Sequence, residues 1–126
     1  MEFDYLDQTD ARIVACAPHA LSYPGRVADA PALPGVYLFL DDADEVIYVG
    51  STHHGKLVCE ISSRWNTGND IGARRYRWFR TGGDDAAHQI ESDWIGKYQP
   101  RNNGSCELPI GISSETRPPR AGLPVC

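Results

Sequence analysis

Glu91, Arg64 and the arginines between residues 74 and 80 are the groups whose types and spacing suggest chemistry. Glu91 lies four residues after Ala87 and four before Ile95, at the edge of the apolar stripe of a predicted helix. A carboxylate held there is a candidate ligand for a hard divalent ion, which uses oxygen donors. The plainer alternative is a rim glutamate paired with an arginine. Arg64 falls three after Ile61 and seven after Leu57, on or beside another apolar stripe. It either snorkels to the surface, the default for a lone arginine, or points into an enclosed polar site. Between Ile61 and Arg80, Arg64, Arg74, Arg75, Arg77 and Arg80 stand against Asp70 alone, with Trp65, Tyr76, Trp78 and Phe79 interleaved. That mixture suits a phosphate-contacting face, although a strand with a solvated arginine edge would read the same way. His53 and His54 could exchange protons near neutrality unaided, or simply occupy an exposed turn.

The elements that must position these groups start at Leu33–Gly50. Val36, Leu38 and Leu40 alternate with Tyr37 and Phe39. An acidic stretch, Asp41 to Glu45, follows, and the chain resumes with Val46, Ile47, Tyr48 and Val49. Strand formers bounded by turn residues predict a hairpin. Gly35 and Gly50 sit at its two open ends, where glycine permits a sharp bend or a close approach. Leu57, Ile61 and Trp65 predict a helix over about 56–66. Alternation over 73–81 predicts a third strand, with Tyr76 and Trp78 on one face and Arg75, Arg77 and Phe79 on the other. Asp84 and Asp85 suit a helix start. Ala87, Ile90, Trp94, Ile95 and Tyr98 carry a helical period as far as Pro100, which stops it.

Length and composition indicate one domain able to build its own core. No apolar run is long enough to span a membrane. The acidic N-terminus lacks the basic and apolar regions of a signal peptide, so a cytoplasmic location is expected. Cys16, Cys59, Cys106 and Cys126 are far apart and form no CxxC pair, which predicts free thiols rather than a zinc site or disulfide framework. The net charge of -5 argues against strong nonspecific nucleic-acid binding. Charges are screened beyond about 8 Å, however, so a phosphate responds to the local patch. Residues 1–32, rich in proline, read as an N-terminal arm, 33–106 as the domain, and 107–126 as an extended or mobile tail.

Gly35-Val36-Tyr37 and Tyr48-Val49-Gly50 resemble the two halves of the GIY-YIG nuclease signature, with valine replacing isoleucine in both. The later stretch Glu91-Ser-Asp-Trp94-Ile95 through Pro100-Arg-Asn-Asn103 resembles the closing pattern of the same family, as found in UvrC-type nuclease domains. The likeness covers about Leu33 to Asn103. It implies an α+β fold, a small three-stranded antiparallel sheet flanked by helices, which agrees with the elements read above. There are two departures. Ser51 stands where many members have lysine, and the Gly50–Arg64 interval is longer than usual. Arg64 is the best match to the family arginine, with Arg74 and Arg75 as alternatives.

The resemblance implies metal-dependent endonucleolytic hydrolysis of DNA, with RNA also open. It implies Glu91 as ligand to one Mg²⁺ or Mn²⁺ and Arg64 as donor to the phosphate. Tyr37 would be the general base or would position water, and Tyr48 and Asn103 would orient neighbouring groups. A phenol with a pKa of about 10 needs roughly 4 kcal/mol of help to ionise at neutrality, so His53 or His54 is the substitute base. Arg74, Arg75, Arg77 and Arg80 are the expected nucleic-acid contacts. An inactive module of the same fold, binding DNA or a protein, is the second reading. An unrelated small α+β domain is a remote third. With little room for specificity modules, a homodimer or a protein partner is a further expectation.

Overall fold

The computed structural model describes residues 1–104 and Leu123. Five antiparallel strands form one sheet: β1 (Ile13–Cys16), β2 (Leu21–Ser22), β3 (Gly35–Leu40), β4 (Val46–Ser51) and β5 (Arg75–Thr81). Two helices pack on it, α1 (Leu57–Ser63) and α2 (Asp84–Tyr98). The strand order is β1-β5-β3-β4, and β2 also pairs with β5. The three expected strands are therefore the centre and one side of the sheet. β1 and β2 share the remaining edge of β5, at Phe79–Thr81 and Arg75–Tyr76 respectively.

β3 is buried at every position because each face is covered. Tyr37 and Phe39 join Ile47, Tyr48, Leu57, Ile61 and Tyr76 on the α1 side. Val36, Leu38 and Leu40 join Val49, Phe79, Ile90, Trp94 and Tyr98 on the α2 side. Burying such a side chain contributes on the order of 1.5–3 kcal/mol, so these two clusters hold the helices to the sheet. A register shift between Phe39 and Leu40 turns Ile47 and Tyr48 toward the same side, as a bulge re-aims side chains. That shift brings the Tyr48 ring beside Tyr37.

The first 32 residues are part of this packing. Phe3 sits among Phe79, Trp94 and Tyr98. Tyr23 packs on Phe39 and bonds Asp70 through its hydroxyl at 2.9 Å. Leu123 is buried in the α1-side cluster; the rest of the expected tail, and the end of the expected 33–106 segment, lie outside the described residues. The free-thiol expectation fails at Cys59, which is disulfide-bonded, while Cys16 is free. Distance along the sequence does not limit which cysteines the fold brings together. Among the described residues no helix is long and apolar enough to cross a membrane.

Candidate active site

The two tyrosines and Arg64 gather on the α1 side of the hairpin, toward its open end. Tyr37 stands opposite Gly50 on β4 and Trp78 on β5. A Cβ at Gly50 would lie 2.5 Å from the Tyr37 hydroxyl oxygen. Glycine is thus required there by the phenol beside it, and Gly35 by the backbone oxygen of Phe79, 2.3 Å from its own virtual Cβ. Both close approaches expected of these glycines are present.

α1 is shorter than its periodicity suggested. It ends at Ser63 and Arg64 is its C-terminal cap, where a cation is favoured by the helix dipole. The chain then turns through Asn66 at φ 66°. From the cap, Arg64 reaches back over the sheet. Its Nε donates to the Tyr37 hydroxyl at 3.0 Å, and its guanidinium lies 6.0 Å from the centre of the Tyr48 ring. The two tyrosine rings are 6.1 Å apart. Of the three arginines weighed for this position, Arg64 meets the tyrosines. Arg75 instead pairs with Asp44 in the hairpin turn, and Arg74 is exposed.

Glu91 approaches from α2. Ser51 donates its hydroxyl to the Glu91 carboxylate at 2.7 Å. No arginine or lysine pairs with Glu91 among the described residues, so it is not an ion-paired rim glutamate. Its charge is felt at Tyr48. Burial pushes the Tyr48 phenol above its ordinary value, Arg64 opposes this, and the Glu91 and Glu60 carboxylates add to the rise. Tyr37 is fully buried, and burial pushes its phenol well up, with Tyr48 adding and Arg64 opposing. Asn103 closes the hairpin from outside. Its Oδ1 accepts from the Val49 amide and its Nδ2 donates to the Val49 carbonyl, both at 2.8 Å.

The other expected residues fall elsewhere. His53 and His54 are exposed; His53 lies 4.9 Å, ring to ring, from His88. The four arginines from 74 to 80 do not share a face. Arg77 is 2% exposed, enclosed by the Phe3, Tyr5 and Phe79 rings on the α2 side. Arg80 stands opposite Gly35, two residues beyond Trp78, and so lies on the side of Tyr37. Glu60 is a residue that sequence reasoning missed. It accepts from Arg64 Nη2 at 3.5 Å and from the His53 amide at 3.3 Å. A carboxylate four residues before Arg64 on a helix was the only signal available.

Among the described residues no three His, Cys, Asp or Glu side chains cluster to hold a metal. The oxygens available there are one partly exposed carboxylate, Glu91, and the Ser51 hydroxyl bonded to it. This all-oxygen set fits a hard, strongly hydrated ion such as Mg²⁺, which keeps several waters and needs few protein ligands.

A three-stranded antiparallel core with two tyrosines, an arginine capping one helix and a glutamate from a second helix defines the GIY-YIG class. No protein-family model matches the chain. The excinuclease Cho proteins of Salmonella typhi and Salmonella typhimurium are each 30% identical over 96 residues, covering 67% of this chain and 32% of the relative. The chain therefore spans about a third of the length of these curated relatives. The GIY-YIG N-terminal endonuclease domain of UvrC from Thermotoga maritima, solved with its catalytic magnesium, superposes with a TM-score of 0.54 at 25% identity, covering 62% of this chain and 91% of that one. The chain carries a GIY-YIG nuclease domain that resembles the N-terminal endonuclease domain of UvrC.

Proposed function

We propose that this protein hydrolyses DNA phosphodiester bonds as a divalent-metal-dependent endonuclease. The observation that carries the reading is the 3.0 Å bond from Arg64 to Tyr37. It joins residues 27 apart in sequence beside a second phenol that feels the Glu91 charge. The relatives support it as well, since one similar domain binds a catalytic magnesium.

Glu91 would hold Mg²⁺ or Mn²⁺, with Ser51 fixing one carboxylate oxygen. When bound, the ion would polarise the phosphate and stabilise the leaving oxygen. Arg64 has donors beyond the one used by Tyr37, and a guanidinium can meet phosphate oxygens through two of them. The phenols divide their roles by exposure. Tyr37 is sealed from solvent and orients Arg64. Tyr48 is 8% exposed and nearer the carboxylate in its electrostatics, so it is the better placed general base. With its proton held on by burial, it needs more than the roughly 4 kcal/mol that an ordinary phenol needs to ionise at neutrality. Asn103 keeps Val49, between Tyr48 and Gly50, in register. Arg80, on the same side, and exposed Arg74 are the arginines offered to flanking phosphates; Arg75 and Arg77 have other partners.

The test is incubation of supercoiled plasmid, branched DNA and single-stranded DNA with Mg²⁺ or Mn²⁺. Nicking that disappears in folded Glu91→Ala supports the reading. DNA binding without cleavage under every metal would replace it with the inactive module.

A further inference from the structure

Arg64 is held at two of its nitrogens. Nε donates to Tyr37 at 3.0 Å and Nη2 to the Glu60 carboxylate at 3.5 Å. These nitrogens form one edge of the guanidinium plane. With that edge occupied, the remaining fork, Nη1 and the second hydrogen of Nη2, is the part left to face an incoming oxyanion. The pairing is shielded, the Glu60 side chain being 12% exposed and that of Arg64 26%. Glu60 is itself anchored, because its other oxygen accepts from the His53 amide in the turn leaving β4. An untethered arginine at the end of a seven-residue helix would spread over several rotamers.

We infer that Glu60 is a positioning residue: it completes, beside Tyr37, the hold on one edge of the Arg64 guanidinium and so presents the free guanidinium fork to the scissile phosphate. It does not hold the metal and does not touch the substrate. The inference rests on the nuclease reading for its purpose, but the clamp exists in the free protein and is measured there.

Two readouts test it. In the free 126-residue chain, the Nε–Hε resonance of Arg64, assigned by its loss in Arg64→Lys, is expected to be sharp in the wild type and in Glu60→Gln. It should be broadened or shifted toward the solvent position in Glu60→Ala. An Arg64 resonance unchanged by Glu60→Ala overturns the proposal, whether or not the protein cuts DNA. In plasmid cleavage, Glu60→Ala should slow the rate about ten- to a hundredfold, the scale of a misplaced catalytic group. Glu60→Gln, which keeps an acceptor, should recover most of the rate. The half-saturating Mg²⁺ concentration should stay unchanged, and Glu60→Ala should cost nothing further in an Arg64→Ala background. A raised half-saturating Mg²⁺ would make Glu60 a metal ligand, and an undiminished loss in the Arg64→Ala background would make it independent of Arg64. Either result overturns the clamp. A wild type that cuts no substrate removes the nuclease reading and leaves the resonance test to decide the clamp alone.

Discussion

Asn103 pairs with the backbone of Val49 through both ends of its amide, at 2.8 Å each way. A side chain thereby takes the place of a neighbouring strand on β4, between the site tyrosine and the site glycine. Asn103→Ala leaves both backbone groups without this partner and should cost about 2 kcal/mol, near 1 kcal/mol per bond. Asn103→Asp separates the two bonds, since a carboxylate still accepts from the Val49 amide but repels its carbonyl. Chemical denaturation of both variants should place Asp at or below Ala in stability; an Asp variant as stable as the wild type would contradict the pairing.

Gly50 touches the Tyr37 phenol so closely that no side chain fits. Gly50→Ala would put a methyl 2.5 Å from the Tyr37 ring and hydroxyl. Overpacking of this kind typically costs about 1–3 kcal/mol. The expected outcome is a lowered denaturation midpoint together with loss of cleavage, because the displaced phenol carries Arg64 with it.

Metal removal and loss of the carboxylate should coincide. Chelation by EDTA is expected to stop cleavage by the wild type, and Glu91→Ala should remain inactive at any Mg²⁺ concentration with unchanged circular dichroism. Ser51→Ala removes only the 2.7 Å bond to Glu91. Its effect should be a few-fold rise in half-saturating Mg²⁺, corresponding to about 1 kcal/mol. Equal Mg²⁺ dependence in Ser51→Ala and wild type would show that the hydroxyl does not order the carboxylate.

The pH dependence of cleavage follows from the direction in which burial moves the phenols. A base must be deprotonated to act, and Tyr48 is raised above the ordinary phenol value. Without a bound ion its reactive fraction is small at neutrality and increases as pH rises. The rate should therefore climb through pH 7–9 without a plateau. Tyr48→Phe should abolish the climb. A limb with its midpoint near 6.5 that survives in Tyr48→Phe and vanishes in His53→Ala would transfer the base role to histidine.

Acid stability has a local contributor at the N-terminus. The Arg12 side chain, hydrogen-bonded to Asp10, holds its carboxyl down at about 2. A depressed carboxyl stabilises the fold fully above its ordinary value and loses that contribution as pH falls toward the folded one. Discounted for solvent screening, it amounts to about 1 kcal/mol. Asp10→Asn should lower the thermal midpoint at pH 7 and match the wild type below pH 2.

The hairpin, β5 and α2 were legible because each carries a long run of one period. Arg64 and Glu91 were legible because each breaks such a run with a charge. β1 and β2 were not, lying among Pro18, Pro24 and Pro31 with little periodicity; they become strands only by pairing with β5. Arg77 was placed on the correct face, beside Phe79, but nothing local showed that Phe3 and Tyr5 would cover it. Glu60 was not singled out, because its contacts with Arg64 and the His53 amide arise only when the end of α1 is set beside the turn leaving β4. The Cys59 disulfide was invisible for the same reason: it is a contact created by the fold.

The shared edge of β5 bears on how this protein should be handled. Trimming the chain to begin at residue 33 would keep every proposed site residue yet strip β1 and β2 away, uncovering the row of amides and carbonyls along Arg75–Thr81. Such a fragment would invite copies of itself to stack there, and its inactivity could be mistaken for a catalytic defect when the fault was precipitation.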